Sequence, residues 1–246
     1  MRPHALFIGS TYAGWRTRQL NFERHVLEDG RIEAEWRRIT GWREGGRIER
    51  LPALPRSLRG RARALAEGAG FATARQHDVV WTSSPELLAA YAWTLAGPWR
   101  RAVVLELDWT LAQRESMARA YYGREPRQGF RLRAAEWQQS VAYSRVSLFI
   151  AWSNWAAQGL ADVGVERQRI RVVPPGLDLA RWRMERGPRD HSAPLRLLFV
   201  GGDFGRKGGP MLLELIAGQF GGRCELDIVT REDVAPGPGV RVHRCE

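Results

Sequence analysis

The stretch LLFVGGDFGRKGGPMLLELIAG, residues 197–218, runs from an apolar strand through a glycine-rich turn into an apolar helical pattern. Pro210 suits the first turn of that helix, because the N–H that proline lacks would have no helical partner there. The turn also holds Lys207, the single lysine among the 38 basic residues of the chain. A strand, a glycine-rich turn and a helix in this order predict an α/β fold with a parallel sheet.

The same alternation extends towards the N-terminus, where short apolar runs bounded by Gly, Ser, Thr or Pro separate longer helical patterns. The predicted strands before residue 180 are His4–Ile8, Ala34–Thr40, Val79–Thr82, Val103–Leu107, Leu148–Trp152 and Arg171–Val173. The predicted helices between them are Thr17–Glu28, Leu58–Ala69, Pro85–Leu95, Leu111–Tyr121, Arg131–Ser144 and Asn154–Val163. This order predicts one doubly wound, Rossmann-like domain over residues 1–180.

A second domain follows a linker. Residues 181–194 are polar and rich in arginine, contain two prolines and show no apolar periodicity, so they predict an interdomain connection. Residues 195–246 then hold three predicted strands, Leu195–Val200, Glu225–Thr230 and Val240–His243, and the helix Pro210–Gly218. An independent α/β domain normally needs ~100 residues or more. We therefore expect a second Rossmann-like domain that is incomplete in this sequence.

The formal net charge of +11 would suit nucleic acid, anionic lipid or a phosphorylated ligand as partner. The arginines are scattered along the chain, however, and no aromatic RNA-binding signature accompanies them. A solvated basic surface explains the charge without a nucleic-acid partner, so we expect none. The helix containing Arg56–Arg63 could instead lie on anionic lipid, which leaves peripheral contact with a membrane as an alternative.

Cysteine content and hydropathy bear on the compartment. Cys224 and Cys245 are the only cysteines, which makes a disulfide framework improbable and fits a reducing compartment. The N-terminus enters a strand directly, with no charged and apolar leader. The most apolar segment, Leu87–Trp99, is shorter than the roughly 20 residues of a membrane-spanning helix. These features predict a cytoplasmic protein, with the inner membrane face as its alternative location.

The glycine-rich turn is the strongest candidate for a binding site. Gly201 and Gly202 would let a ligand approach the backbone, and the unpaired amides of a helix beginning at Gly208 would favour an anion. Arg206 and Lys207 would add positive charge for a diphosphate. The turn is not a nucleotide P-loop, because Arg206 stands where that motif has glycine. The alternative is a plain strand-to-helix turn with surface charges.

Further candidates follow the predicted strands of the first domain, at the sheet edge where α/β proteins bind ligands. Gly9 and Gly14 lie between the first strand and the first helix, with Arg16 and Arg18 next to them as potential anion contacts. The alternative for the glycines is a tight turn. Asp108 and Ser153 end two other strands, and each could instead cap the following helix; for Ser153 we favour capping.

Two segments together resemble a known family. WSNWAAQGLADVGVERQRIRVVPPGLDLARW (152–182) and LRLLFVGGDFGRKGG (195–209) look like the family-four retaining glycosyltransferases of GT-B architecture. The resemblance implies that Lys207 holds the donor diphosphate and that the Gly9–Gly14 loop borders donor and acceptor. Asp178 matches the turn aspartate of the family, for which we predict a structural role. Gly202 replaces an arginine common in the family, whose donor-binding glutamate pair would lie beyond Glu246.

The resemblance implies a glycosyltransferase that takes a nucleotide diphosphate sugar as donor and a glycan, a lipid-linked compound or a small molecule as acceptor. No Asp-x-Asp, His-Glu-x-x-His or Cys-x-x-Cys motif occurs and the five histidines are isolated in the sequence, so we expect no metal and no cofactor. The competing hypotheses are a truncated or inactive binding module and a basic nucleic-acid-binding protein.

Overall fold

The computed structural model describes residues 2–11, 15–52, 55–95, 102–183, 187 and 192–244. It divides the chain into two units, one formed by residues 1–119 and 124–182 and the other by residues 120–123 and 183–246. Each unit has its own parallel sheet flanked by helix. The predicted fold class, α/β with two Rossmann-like domains, is therefore confirmed.

The first sheet has six strands in the spatial order β2-β1-β3-β4-β5-β6, all parallel. Its strands are β1 (His4–Ser10), β2 (Glu33–Ile39), β3 (Val79–Thr82), β4 (Ala102–Leu107), β5 (Leu148–Ala151) and β6 (Ile170–Val172). Each predicted strand overlaps an observed one, and the ends differ by at most two residues. The apolar runs are short and bounded by turn residues, which explains this agreement.

Seven α-helices belong to the described part of the first unit, and α5 ends in the segment assigned to the second unit. They are α1 (Trp15–Asp29), α2 (Arg56–Gly68), α3 (Pro85–Ala90), α4 (Leu111–Ser116), α5 (Ala118–Tyr122), α6 (Gly129–Tyr143) and α7 (Asn154–Asp162). Two predicted helices are interrupted. Pro85–Leu95 ends at Ala90 and continues as a 3₁₀ turn, and Leu111–Tyr121 breaks at Met117, whose N–H bonds back to Gln113 and Glu115.

Both faces of the first sheet are covered, as is usual for parallel sheets. One face contributes alternate strand residues such as Leu6 and Ile8 to the larger core, which includes Leu88 of α3 and Leu160 of α7. The opposite face is aromatic. Phe7 stacks on Trp36 at 4.3 Å between ring centroids and meets Phe22 of α1 edge-on at 5.5 Å. The carboxyl edge of the sheet is thereby held between two packed layers.

The second sheet has the order β7-β8-β9 and is also parallel. Its elements are β7 (Leu195–Val200), α8 (Gly209–Ala217), β8 (Cys224–Thr230) and β9 (Val240–Arg244). One face packs on α8 through Ile216. The other face exposes apolar side chains of β7, with Leu198 at 69% and Val200 at 62% exposure. This sheet therefore has a single packed layer in the described residues.

Two further expectations bear on the chain as a whole. Cys224 is buried and its thiol is free, while Cys245 lies outside the described residues. Within the ranges that the structure describes, no helix is both long and apolar enough to cross a bilayer.

Candidate functional site

The carboxyl edge of the first sheet contains the point where the strand order reverses, between β1 and β3. Ligands of open α/β sheets bind at such points. The two strand ends are joined there, because the Ser10 N–H donates to Ser83 Oγ at 3.3 Å. Beside them β4 ends in Glu106 and Leu107, and Asp108 follows directly. The edge therefore combines hydroxyl and carboxyl groups with the start of α1.

A buried ion pair lies at this edge. Glu106 is only 1% exposed, and its Oε2 accepts a hydrogen bond from Arg18 Nη2 of α1. Its other oxygen accepts from Trp152 Nε1 at 2.5 Å. The Arg18 guanidinium also lies 4.4 Å from the Phe22 ring centroid and 4.5 Å from that of Trp81. We call Arg18, Glu106 and Trp152 the Arg18–Glu106 cluster.

The electrostatics of the cluster suit proton exchange near neutrality. Burial raises the pKa of Glu106 to about 7, although the Arg18 charge and the Trp152 hydrogen bond oppose that rise. Burial also raises the pKa of the neighbouring Asp108 carboxyl. Carboxyl groups with a pKa near the working pH can accept a proton from a hydroxyl group. In addition, Arg18 Nη1 is buried without a hydrogen-bond partner among the described residues, so one donor is left over.

Of the predicted residues at this edge, Gly9 has a packing role. A Cβ on Gly9 would lie 2.3 Å from Oε1 of the buried Gln19, so glycine lets α1 approach β1 closely. Gly14 lies outside the described residues. Arg16 is exposed in the first turn of α1. Trp15, in the same turn, packs on Trp152 with ring centroids 4.4 Å apart.

The capping alternatives are resolved for both strand ends. Ser153 caps α7, because its Oγ accepts from the Ala156 N–H at 3.2 Å, and this prediction is confirmed. Asp108 is not the cap of α4. Thr110 is, through a capping box in which Gln113 N–H donates to Thr110 Oγ1 and Gln113 Oε1 accepts from the Thr110 N–H. Thr110, the residue immediately before the helix, forms these hydrogen bonds and leaves the Asp108 carboxyl for other contacts.

Asp178 has the structural role predicted for it. Its Oδ1 accepts the N–H groups of Ala180 and Arg181 at 3.2 and 3.3 Å, which is the geometry of an aspartate-stabilised turn. Its Oδ2 accepts from Arg24 Nη2 of α1 at 2.6 Å. Hydrogen bonding to Arg24 lowers the pKa of Asp178. The sequence gives no signal for Arg24, because 154 residues separate the partners.

Lys207 lies on an exposed turn at the carboxyl end of β7. Its side chain passes over Gly201, where a Cβ would lie 2.8 Å from Lys207 Cδ. Among the described residues the ammonium group has no hydrogen bond or ion-pair partner within 4 Å. Arg206 differs, because its Nε donates to Asp203 Oδ2 at 2.6 Å and Asp203 Oδ1 accepts the Arg206 N–H. Lys207 is therefore the available cation of the predicted pair.

The expectation of unpaired amides at the start of α8 is wrong for two glycines. The Gly208 N–H donates to Gly205 O at 3.2 Å and the Gly209 N–H to Phe204 O at 2.9 Å. Gly208 adopts φ +82°, a left-handed conformation that glycine tolerates, and this folds the turn back on itself. Two of the amide donors that were expected to bind an anion are therefore engaged within the turn.

Arg231 is a cation that the sequence reasoning missed. It follows β8, the neighbour of β7, and its Cδ would lie 3.8 Å from a Cβ on Gly202. The carboxyl ends of adjacent parallel strands lie side by side, so the residue after β8 was a predictable neighbour of the Lys207 turn. Exposed Gly202 therefore lies near a second positive side chain.

The arginine-rich helix α2 is partly engaged within the protein. Arg63 Nη2 pairs with Glu49 Oε2 at 2.6 Å, and this hydrogen bond lowers the pKa of Glu49 to about 2. Arg56 and Arg59 lie over the Trp42 ring at 4.9 and 5.7 Å. Three of the four arginines proposed to lie on anionic lipid are therefore already in contact with other side chains of the protein.

Three solved structures are similar to this chain. HepE of Anabaena, in complex with UDP and glucose, has a TM-score of 0.54 at 16% identity over 93% of this chain and 61% of HepE. The glycosyltransferase of kitacinnamycin has a TM-score of 0.57 at 16% identity, over 98% of this chain and 70% of that enzyme. The lipopolysaccharide outer core galactosyltransferase WaaB has a TM-score of 0.56 at 13% identity, over 92% of this chain and 60% of WaaB. The chain thus spans less than two thirds of the length of HepE or WaaB, and the likeness concerns the fold.

The family comparison covers most of the first unit. The profile described as glycosyl transferase 4-like domain matches residues 7–176, well over half of the chain. That range includes the whole carboxyl edge of the first sheet, from Gly9 to Ser153. No curated protein sequence matches significantly. With its matched profile and its parallel α/β architecture, the chain belongs to the glycosyl transferase 4-like domain family.

Proposed function

We propose that this protein is a glycosyltransferase that moves a sugar from a nucleotide diphosphate sugar to an acceptor. Family membership supports the reaction class, and the fold is similar to HepE, whose structure contains UDP and glucose. The observation that carries the proposal is the exposed Lys207 ammonium, unpaired among the described residues and aligned along Gly201. A cation in this position can neutralise the charge that develops on a departing diphosphate.

On the donor side, Lys207 and Arg231 supply the positive charge. Arg206 contributes less, because Asp203 already holds its guanidinium. Gly201 beside Lys207 and Gly202 beside Arg231 have no side chains to keep a phosphate away from the backbone. Cationic side chains can stabilise a leaving diphosphate without a metal ion, so we propose a metal-independent reaction without a further cofactor. Retention of the anomeric configuration is proposed from the family resemblance.

On the acceptor side, the carboxyl edge of the first sheet offers Asp108, with the Arg18–Glu106 cluster beside it. A carboxyl group of raised pKa can hydrogen-bond a sugar hydroxyl in either protonation state. Arg16 and Ser153 lie at the same edge, although Ser153 is engaged as a cap. The acceptor is a glycan, a lipid-linked compound or a small molecule. The proposed location is the cytoplasm, with peripheral membrane contact if the acceptor is lipid-linked.

The test is a panel of nucleotide diphosphate sugars, beginning with UDP-glucose, titrated into the full chain by calorimetry and assayed for UDP release. We expect saturable donor binding, and a loss of at least about tenfold in affinity and 10²-fold in turnover for Lys207→Ala. Arg223→Ala is the matched control, because Arg223 is exposed and precedes β8 at the opposite edge of the same sheet. Wild-type binding and turnover in Lys207→Ala would refute the assignment.

The alternative function, a binding module without turnover, predicts a different pattern in the same assay. Donor would bind saturably and depend on Lys207, but no UDP would be released with any acceptor supplied. Binding of double-stranded DNA with a steep salt dependence, and none of sugar nucleotides, would favour the nucleic-acid hypothesis instead.

A further inference from the structure

Three potential metal ligands meet at the amino edge of the first sheet, away from the proposed acceptor site. His4 is the first residue of β1, Glu35 lies in β2 and His77 precedes β3 by two residues. One nitrogen of each imidazole and one carboxylate oxygen lie within 4.8 Å of one another. The three elements are adjacent in the sheet, so the cluster joins β2, β1 and β3.

The orientation of His77 favours metal binding through Nε2. Its side chain is fully buried, and Nδ1 lies 3.0 Å from the carbonyl oxygen of Thr73. A carbonyl can only accept, so Nδ1 carries a proton and donates it. Nε2 lies 3.1 Å from Glu35 Oε2, and a metal ion bound between them would replace the proton that a direct hydrogen bond there requires. An imidazole whose Nδ1–H is held by a carbonyl while Nε2 faces a ligand site is the usual arrangement of metal-binding histidine.

The other two ligands are also held in place. His4 and Asp78 exchange two hydrogen bonds: the His4 N–H donates to Asp78 Oδ2 at 2.9 Å, and the Asp78 N–H donates to His4 O at 2.8 Å. This fixes the backbone of His4 next to His77, and the two imidazole rings lie 4.2 Å apart between centroids. Arg37 Nε donates to Glu35 Oε1 at 2.8 Å, which leaves Oε2 directed at His77.

We propose that His4, Glu35 and His77 bind a divalent transition metal of the zinc class. Two imidazoles and one carboxylate form a donor set typical of zinc, whereas Mg²⁺ and Ca²⁺ require mostly oxygen ligands. Ligand atoms about 2.1 Å from a tetrahedral Zn²⁺ are roughly 3.4 Å apart, close to the 3.1 Å between His77 Nε2 and Glu35 Oε2. A rotamer adjustment of the partly exposed His4 closes the remaining gap.

The role of this metal is structural. The ion would cross-link the first three strands of the sheet at the edge opposite to Asp108, and the glycosyltransferase reaction proposed above proceeds without it. The Arg37 guanidinium lies on the far side of the Glu35 carboxylate and would repel the metal ion. The negative charge of the Glu35 carboxylate, which lies between them, offsets this repulsion. The inference therefore stands or falls independently of the proposed function.

The test uses the full chain stripped of metal with a chelator and then titrated with Zn²⁺ by calorimetry. We expect one Zn²⁺ per chain and, at about 100 times the Kd, a rise of roughly 5–10 °C in the unfolding midpoint. Co²⁺ substitution should give the visible absorption bands of a tetrahedral site. His4→Gln and Glu35→Gln should each lower the affinity at least about tenfold.

The matched control is His25→Gln, because His25 is exposed on α1 outside the cluster and should leave the affinity unchanged. His77→Gln should abolish binding; because His77 is buried, the two partly exposed ligands decide the question if that variant does not fold. Absence of saturable Zn²⁺ binding by the wild type would overturn the proposal and leave His77 as a buried partner of Glu35. Wild-type affinity in His4→Gln and Glu35→Gln would overturn it equally.

Discussion

The carboxyl edges of the two sheets hold their charged groups by different means. At the first edge, Glu106 is almost fully buried between two packed layers and is bonded to Arg18 and Trp152. At the second edge, Lys207 is exposed on a turn whose shape is fixed by local glycine hydrogen bonds. Changes at the first edge should therefore alter stability, whereas changes at the second should alter ligand binding and leave the fold intact.

The largest effect should come from Arg18→Met. The substitution keeps much of the side-chain volume but leaves the Glu106 carboxylate buried without its cation, so at pH 8 we expect a loss of about 3–5 kcal/mol in the free energy of unfolding. Urea denaturation monitored by tryptophan fluorescence measures it. Arg16→Met, in the same helix but exposed, is the control and should change stability by less than about 0.5 kcal/mol. Equal effects of the two variants would contradict the comparison.

The pH dependence of stability reports the ionisation of Glu106. Because its folded-state pKa is raised to about 7 from an ordinary value of 4.5, the folded protein binds the proton more tightly than the unfolded chain. The resulting stabilisation is complete below about pH 4.5 and is lost as the pH rises through 7. The stability of the wild type minus that of Glu106→Gln should fall by about 3 kcal/mol between pH 4.5 and 8. Parallel pH profiles for the two proteins would show that the pKa is not raised.

A pair of glycine substitutions compares the packing of the two edges. Gly9→Ala drives a methyl group into the buried Gln19, so we expect a loss of about 1–2 kcal/mol. Gly201→Ala meets Lys207 Cδ and the Phe199 ring, and the exposed lysine can move aside, so its loss should be the smaller one. Thermal unfolding of both variants provides the measurement. A greater loss for Gly201→Ala would mean that the second edge is the more tightly packed.

The smallest effect on stability should come from Lys207→Ala. The side chain is exposed and has no ion-pair partner among the described residues, so the free energy of unfolding should change by less than about 0.5 kcal/mol. The same urea titration as for Arg18→Met allows a direct comparison. A destabilisation above about 1 kcal/mol would assign Lys207 a structural role and remove the contrast between the edges.

The fold was predictable because it depends on local patterns. Short apolar runs and their turn residues located the nine strands of the described residues, and Ser153 and Asp178 have the structural roles that their side-chain chemistry predicted. For Asp108 capping of α4 was one of two open alternatives; the cap is Thr110, and the sequence Thr110-x-x-Gln113 carries the capping-box signal.

The side-chain clusters were less predictable because their members are distant in sequence. Arg18 and Glu106 are 88 residues apart, and His77 and Glu35 are 42 apart. One signal was present, since Glu106 is a charged residue inside the otherwise apolar run VVLEL. Spacing motifs detect only ligands that are close along the chain, so they carry no signal for His4, Glu35 and His77, which the fold brings together. The loss of amide donors at Gly208 and Gly209 depends on turn hydrogen bonds that no composition reveals.

The order of the first sheet has a consequence for synthesis on the ribosome. From β4 onwards, each new strand pairs with the one made just before it, so the sheet can grow at one edge as the polypeptide emerges. The ion pair between Arg24 and Asp178 cannot form so early, because Asp178 is translated 154 residues after Arg24. At about 5–20 residues per second, the nascent chain waits roughly 8–30 s for that bond. The ion pair that joins α1 to the turn after β6 therefore forms late in folding.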